Sequence, residues 1–197
     1  MSESREFDPL SVEELGRNAA RKLMEYPSAE LPPLAPFGGV GVYTIHYRGA
    51  YAPYAEMPDD EPIYVGKAEL RGRRQGRAFE AHPSPVLHMR LREHSDSIRA
   101  VNNLSLRDFR CRWLVLDPVW IGLTEQVLIA TYRPTWNSVV DGFGNHDPGA
   151  GRRNQKRSLW DTLHPGRRWA GKLRESQLNV TEIMNSIAEH RGTGNQG

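Results

Sequence analysis

Alternating apolar and polar positions predict two short strands in the first third of the chain. Residues 41–47 read GVYTIHY and residues 62–67 read PIYVGK, and both runs are rich in β-branched and aromatic side chains, which is typical of β-strands. The connecting residues 49–61 contain two prolines and two adjacent aspartates, a composition that favours a loop. If the two strands are neighbours, Tyr43 and Tyr64 present two phenols near one spot. Tyrosines on strands are most often packing residues, so this pair alone predicts no chemistry.

A helical pattern precedes these strands. Ser11 followed by Glu14 matches a capping box, and the apolar residues Leu15, Ala19 and Leu23 recur on one helical face. Residues 27–36 then contain four prolines, which predicts a connector before the first strand.

The most regular amphipathic pattern spans residues 84–102. Ser84 is the predicted N-cap and Pro85 fits the first turn. The apolar stripe follows steps of four, seven and three residues and consists of Leu87, Leu91, Ile98 and Val101. His94 stands where the stripe predicts an apolar residue, and Arg90 lies one turn earlier on the same face. A lone histidine there is more often structural, but an arginine and a histidine together need an anion, a carboxylate or a tyrosine as partner.

The second half of the chain predicts a third strand and two more helices. Residues 109–117 read FRCRWLVLD and predict a buried strand. Residues 123–132 predict a helix that a proline ends, and Glu125 lies in its first turn, where a carboxylate is favourable for purely structural reasons. Asn137 follows in a predicted turn. A final amphipathic helix is expected at about residues 180–190.

Charge is distributed unevenly along the chain. Residues 1–60 carry 5 Lys and Arg against 10 Asp and Glu, whereas residues 61–180 carry 20 against 12. Almost all of the excess is arginine, whose planar fork suits phosphate oxygens and guanine edges. Solvated helix faces would explain the charge equally well, so charge alone leaves nucleic acid binding open.

Two basic segments are the strongest candidates for contact with nucleic acid. Residues 71–77 alternate arginine with glycine, and residues 152–174 interleave basic residues with tryptophans and turn residues. Both compositions are typical of nucleic-acid contact surfaces, although a surface loop is the plain alternative for the first. The predicted DNA-binding residues are Lys67, Arg71, Arg73, Arg74, Arg77, Arg152, Arg153, Lys156, Arg157, Arg167 and Arg168.

The single cysteine, Cys111, excludes an internal disulfide and a CxxC metal site, and it lies in the third strand as a core residue. No apolar stretch approaches the roughly 18 residues that a membrane span needs. The N-terminus is polar and acidic, unlike a signal peptide. We therefore expect a cytoplasmic protein without membrane contact.

Six of these residues, taken in chain order, resemble the signature of the GIY-YIG nuclease superfamily. The signature consists of a G-I-Y strand, a Y-I-G strand, an arginine with a histidine one helical turn later, a helical glutamate and then an asparagine. The matching residues are Tyr43, Tyr64, Arg90, His94, Glu125 and Asn137, with valine for isoleucine in both strand motifs. The long linker between the tyrosine strands, the arginine-rich insertion and the tail are similar to the type II restriction endonuclease branch that cuts CCGCGG-like sites.

The resemblance implies an α+β fold with a small antiparallel three-stranded sheet flanked by helices. It also implies one divalent metal, Mg²⁺ or Mn²⁺, held by Glu125, and a scissile phosphate held by Arg90. Tyr43 would touch the attacking water with His94 beside it, and which of the two first accepts the proton stays open. Tyr64 would orient the phosphate or the water, and Asn137 would fix the geometry of the site.

The implied organisation has three parts: an N-terminal helical arm (1–36), a nuclease core (37–140) with a basic insertion (67–82), and a basic C-terminal extension (141–197) for DNA contact or dimerisation. Cleavage of both strands at a G·C-rich palindrome requires two active sites, so a homodimer on double-stranded DNA is expected. A companion DNA methyltransferase is expected too, but not as a stable complex.

Other functions stay open on the sequence alone. A structure-selective or nicking repair nuclease of the same superfamily would use the same six residues without strict sequence preference. A non-catalytic DNA-binding protein would explain the basic half equally well, but it has no need of Glu125 among phosphates. An enzyme acting on small phosphate esters fits the broad basic surface least.

Overall fold

The structure is a computed structural model that describes residues 11–55, 57–70, 84–149 and 154–194. Its helices are α1 (Val12–Glu25), α2 (Val86–Arg99), α3 (Pro118–Tyr132), α4 (Thr135–Ser138), α5 (Leu159–Leu163) and α6 (Val180–Gly194). Its strands are β1 (Ala29–Glu30), β2 (Gly41–Tyr47), β3 (Tyr64–Ala68) and β4 (Phe109–Val115). Short 3₁₀ helices lie at Leu106–Asp108 and Ala170–Lys172.

The strands form one antiparallel sheet in the order β1-β4-β2-β3, which confirms the predicted α+β class. The predicted sheet had three strands. The fourth, β1, has two residues inside the proline-rich connector, and pairs with β4 through Ala29 and Glu30. A strand this short has no readable alternation, so only its partner reveals it.

Each face of the sheet carries its own hydrophobic core. Tyr43 and Ile45 point from β2 into the larger core, which also contains residues of α2 and of the C-terminal segment. Val42 and Val65 point to the opposite face, where α1 and α3 pack. Alternation along β2 therefore sends the tyrosine of the first motif to the α2 side.

The start of α1 agrees with the sequence, whereas the predicted starts of α2 and α3 differ from those of the structure. The Ser11 side chain accepts a hydrogen bond from the Glu14 backbone N–H, as the capping box predicts. Helix α2 begins at Val86, after Pro85, and Ser84 makes no cap. The prediction for α3 was wrong by five residues, because Asp117 caps it through the Val119 N–H.

This earlier start changes the interpretation of Glu125. The helix begins at Pro118 with the proline in its first turn, so Glu125 lies in its third turn. The helix dipole acts within the first turn, so it does not explain a carboxylate at this position.

The C-terminal segment belongs to the larger core and is not a detached basic surface. Trp160, Leu163, Ile183 and Ile187 are buried in the same cluster as Tyr43. The prediction that Trp160 helps to form a contact surface was therefore wrong, since its ring is fully buried. Among the described residues, no helix is long and apolar enough to span a membrane.

Candidate active site

The pairing of β2 with β3 brings the two tyrosines of the strand motifs together. Tyr43 lies opposite Gly66, Tyr64 lies opposite Ile45, and the two phenol rings are 6.2 Å apart between centroids. A Cβ on Gly66 would lie 2.5 Å from the Cζ atom of Tyr43. Glycine is therefore required in the second motif because the Tyr43 ring crosses directly over it.

The glycine of the first motif has a similar reason. A Cβ on Gly41 would collide with the backbone carbonyl of Leu114 on the neighbouring strand β4. Only glycine allows β2 and β4 to approach this closely at the start of β2. Both glycines thus serve the packing that positions Tyr43.

Helix α2 places His94 against Tyr43. The Tyr43 hydroxyl and His94 Nε2 are joined by a hydrogen bond of 2.6 Å, and both side chains are buried. The imidazole also lies 5.3 Å from the Tyr64 ring and stacks on Phe143 at 4.5 Å. The histidine in the apolar stripe of α2 therefore has a tyrosine as its partner.

Electrostatics keep this pair neutral. Burial lowers the pKa of His94 well below its usual range, and the nearby charge of Arg90 lowers it further. Burial also raises the pKa of Tyr43 well above its usual range, and Tyr64 adds to this effect. At neutral pH the pair therefore consists of an un-ionised phenol and an uncharged imidazole, a combination suited to passing a proton from one to the other.

Arg90 faces the same site from α2, one turn before His94. Its Nη1 donates to Glu93 Oε2 at 2.8 Å and to His146 Nε2 at 2.6 Å, and its Nη2 donates to the Gly144 carbonyl at 3.1 Å. Arg92 is exposed on another face of α2 and lines a groove beside the proline-rich connector. The geometry thus places Arg90, and not Arg92, beside the tyrosines.

Glu125 enters the site from α3. Its carboxylate forms an ion pair of 2.9 Å with the Lys67 ammonium of β3, and its side chain is 19% exposed. This hydrogen bond is the main cause that raises the pKa of Lys67. Burial raises the pKa of Tyr64, and the negative charge of Glu125 contributes to that rise.

Asn137 holds β3 in place from α4. Its Oδ1 accepts from the Val65 N–H at 2.8 Å and its Nδ2 donates to the Val65 carbonyl at 2.9 Å. The amide thus completes the hydrogen bonding of the residue between Tyr64 and Gly66, at the free edge of the sheet. Both bonds end on the backbone of the strand, so Asn137 acts on the position of the tyrosine motif as a whole.

A comparison with protein-family models identifies the family of the chain. The family model described as the Eco29kI GIY-YIG domain matches residues 35–191. The chain belongs to the Eco29kI GIY-YIG family. The family is one of restriction endonucleases, so the chain is a nuclease and DNA is its class of substrate. No curated protein matches the chain.

The donor set of this GIY-YIG site fits a hard divalent cation with few protein ligands. In the part of the chain that the structure describes, no three His, Cys, Asp or Glu side chains gather to form a closed metal cage. Glu125 offers one partly exposed carboxylate that already attracts the Lys67 ammonium. Mg²⁺ characteristically binds one or two carboxylates and fills its remaining positions with water and substrate phosphate.

Ten of the eleven predicted DNA-binding residues of this family member divide into three groups. Arg71, Arg73, Arg74, Arg77, Arg152 and Arg153 lie outside the described residues. Lys67 lies at the site in its ion pair with Glu125. Lys156 and Arg168 are exposed, while Arg157 is half-buried and donates to the Ala170 carbonyl at 3.1 Å.

Arg167 requires a correction. Its side chain is 4% exposed and its Nε donates to Asp161 Oδ1 at 2.6 Å. Its other nitrogens donate to backbone carbonyls between residues 142 and 145. A guanidinium buried in this way does not reach DNA, so the prediction of a DNA contact at Arg167 was wrong.

The sequence patterns did not reveal the segment Gly142–His146, which packs against His94 and Arg90. Phe143 stacks on His94, and Gly144 and His146 accept hydrogen bonds from Arg90. The segment reads GFGNH, with no periodicity, and its composition suggested a basic contact surface. The isolated aromatic residue between two glycines was the one available signal.

Proposed function

We propose that this chain is a sequence-specific type II restriction endonuclease. It hydrolyses phosphodiester bonds of double-stranded DNA at a G·C-rich palindrome and uses one divalent metal per active site. The observation that carries the proposal is the buried Tyr43–His94 hydrogen bond, with Arg90 one turn earlier on α2 and Glu125 paired with Lys67 on β3, the strand that carries Tyr64.

Tyr43 and His94 act together on the attacking water. Tyr43 accepts a proton from the water while it passes its own hydroxyl proton to His94 Nε2 across the 2.6 Å hydrogen bond. Burial raises the pKa of Tyr43 and lowers that of His94, so neither a phenolate nor an imidazolium persists before the reaction, and the proton moves along the hydrogen bond only as the water attacks. The water oxygen bonds to phosphorus as the bond from phosphorus to the 3′-oxygen breaks.

Arg90 binds the scissile phosphate. Its guanidinium already makes three hydrogen bonds to Glu93, His146 and Gly144, so its orientation is set before DNA arrives. A fixed guanidinium aimed at developing charge stabilises a transition state without reorganisation. Tyr64 lies beside it and orients the phosphate or the water.

Glu125 is the residue that would hold the metal, with water and phosphate oxygens around it. When bound, the metal supplies Lewis-acid stabilisation of the charge that develops on the phosphate and the leaving oxygen. Lys67 pairs with Glu125 in the free protein and is free to turn toward a DNA phosphate once that pair is broken. Asn137 keeps β3, and with it Tyr64 and Lys67, in register.

The exchange of Glu125 for glutamine tests this assignment. Glu125→Gln keeps the shape of the side chain and removes its charge, so we expect Mg²⁺-dependent cleavage to fall by at least about 100-fold while DNA binding measured in Ca²⁺ stays within a few-fold. Glu25→Gln, which neutralises a helical carboxylate paired with Arg21 and Lys22 on α1, serves as the control. Full cleavage by the Glu125 variant would exclude this carboxylate as the metal ligand.

A homodimer completes the proposal. A symmetric site cut on both strands requires two active sites related by twofold symmetry. A nicking or structure-selective nuclease of the same superfamily needs only one. The pattern of cleavage on a defined plasmid separates the two functions.

A further inference from the structure

The segment Gly142–His146 touches two of the proposed catalytic side chains at once. The Phe143 ring stacks on the His94 imidazole at 4.5 Å with an angle of 18° between the planes. Arg90 donates to the Gly144 carbonyl at 3.1 Å and to His146 Nε2 at 2.6 Å. The position of this short segment therefore decides how deeply His94 is buried and where Arg90 points.

One buried side chain holds the segment from behind. Arg167 Nη2 donates to the Gly142 carbonyl at 2.9 Å, and its Nη1 donates to the carbonyls of Phe143 and Asn145, both at 3.1 Å. Its Nε donates to Asp161 Oδ1 at 2.6 Å. All three nitrogens of the guanidinium are thus engaged, and three of its bonds end on the backbone of the segment.

The surroundings of Arg167 make this arrangement rigid. The Arg167 and Asp161 side chains are 4% and 1% exposed, and the guanidinium lies over the Trp160 ring at 4.3 Å. A buried charge is tolerated only when it is paired and hydrogen-bonded, and the planar guanidinium fixes the directions of all its bonds. Asp161 is anchored in turn by Ser158, whose hydroxyl donates to its Oδ2 at 2.7 Å.

We propose that Arg167 is a positioning residue of the active site. It holds Gly142–His146 against His94 and Arg90, and so couples the C-terminal segment to the chemistry on α2. Arg167 itself touches neither the DNA nor the reacting atoms. This inference rests on the proposed nuclease function.

Arg167→Lys is the most informative variant. Lysine keeps the positive charge beside Asp161 but brings one nitrogen in place of three, so it cannot hold the three carbonyls together. At saturating enzyme with Mg²⁺, we expect the single-turnover cleavage rate to fall about 10- to 100-fold, because displacements of about 1 Å in a catalytic group have effects of this size. The dissociation constant for the same DNA in Ca²⁺ should change less than about threefold.

Arg112→Lys is the matched control. Arg112 also donates to a backbone carbonyl, that of Tyr26, and to a buried histidine, His46, which points to the opposite face of the sheet from Tyr43. Replacing Arg112 with lysine also removes hydrogen bonds of a guanidinium, but none of them involves the segment Gly142–His146. We expect a lower melting temperature for Arg112→Lys but a cleavage rate per folded molecule within about twofold of the native rate.

The pH dependence of the rate separates positioning from general destabilisation. Tyr43 and Tyr64 contact His94, and the nearby charges of Arg90, His146 and Arg167 lower its pKa. When the segment moves away, water reaches the imidazole, and burial no longer lowers the pKa of His94 as strongly. The acid limb of the rate profile should therefore move to higher pH in Arg167→Lys and stay in place in Arg112→Lys.

Gly144→Ala tests the same segment from its other side, should Arg167→Lys fail to fold. A Cβ on Gly144 would lie 3.0 Å from the Tyr64 hydroxyl and 3.2 Å from Arg90 Nη2, so the segment and these two side chains must move apart by a few tenths of an ångström while Arg167 stays intact. We expect the same loss of rate with retained binding. Where both variants fold, the cleavage rate of the double variant should be close to that of the slower single variant, because both changes affect the position of one segment.

Native cleavage by Arg167→Lys, or an unchanged acid limb in a variant with a reduced rate, would overturn the proposal. An equal loss of rate in Arg112→Lys would do so as well, as would a loss of DNA affinity that matches the loss of rate. Cleavage by the native protein and by Arg112→Lys tests the nuclease function itself. Failure of the nuclease proposal is therefore distinguishable from failure of the inference about Arg167.

Discussion

At the residue scale, the central feature is the buried contact between Tyr43 and His94. The two side chains are 2.6 Å apart at their polar atoms, and burial keeps both uncharged at neutral pH. Neither residue alone is a good base under these conditions, since the phenol holds its proton and burial lowers the pKa of the imidazole. Their proposed function is therefore that of a pair.

A double-mutant cycle tests this pair. Tyr43→Phe and His94→Ala should each lower the single-turnover rate by about 10²- to 10⁴-fold, the range typical of a lost general base. Because one proton path is broken in all three cases, the double variant should be little worse than the worse single variant. Tyr47→Phe is the control, since Tyr47 lies on the same face of β2 and its hydroxyl accepts from the Tyr51 N–H, away from His94. Losses that multiply in the double variant would show that the two residues act independently.

At the element scale, the site depends on how the edge strand β3 is held. β3 pairs with β2 on one side only, and Asn137 supplies hydrogen bonds to Val65 on the other. Tyr64 and Lys67 both project from this strand. Register at the edge of a sheet is otherwise weakly specified, and a shift by one residue would exchange the faces of these side chains.

Asn137→Ala tests that dependence. The loss of two hydrogen bonds, with the Val65 amide left unpaired, should lower the free energy of unfolding by about 1–3 kcal/mol. Asn103→Ala removes comparable bonds, to the Leu163 carbonyl and His164, and should cost a similar amount. Only the Asn137 variant should also lower cleavage per folded molecule, measured after correction for the folded fraction by circular dichroism. Equal cleavage by the two variants would contradict the role of Asn137 in the site.

Much of the candidate site could be predicted because it lies on regular elements. The alternation in β2 and the apolar stripe of α2 are enough to direct Tyr43, Arg90 and His94 toward a common space. The start of α3 was missed because residues 118–122 continue the apolar character of the preceding strand, and the Asp117 cap was assigned to that strand. The grouping of Glu125 with the other residues came from the family resemblance.

Arg167 shows why the remainder could not be predicted. It is one of eight basic residues between 152 and 174, and nothing local distinguishes it from the exposed Arg168. Its burial depends on Asp161 and on carbonyls about 20 residues earlier in the chain. Such contacts arise from the tertiary fold, and a local pattern of charge does not encode them.

At the scale of the whole molecule, several buried histidines make stability dependent on pH. Burial lowers the pKa of His46 and of His164 to about 3, and it lowers that of His94 as well. In the unfolded chain these side chains titrate near pH 6.5. Below that value the unfolded chain binds protons that the native protein does not, so the stabilisation is complete above pH 6.5 and is lost as pH falls.

The predicted slope is measurable. Each such histidine should lower the free energy of unfolding by roughly 1.4 kcal/mol per pH unit once the pH is well below 6.5. Urea titrations between pH 6.5 and 5.0 should show the combined slope, and His164→Gln should reduce it by about one proton, whatever its effect on stability at pH 7. An unchanged slope in that variant would contradict a neutral buried His164.

For the whole molecule, the proposed function is cleavage of both strands of DNA at one specific sequence. The most direct measurement is a digest of a plasmid of known sequence by the native protein in Mg²⁺, with sequencing of the fragment ends. The proposed function predicts discrete fragments whose ends share one G·C-rich palindrome, no cleavage when the metal is chelated, and none from Tyr43→Phe over the same time. A continuous smear, a single nick, or intact plasmid in the presence of Mg²⁺ would contradict it.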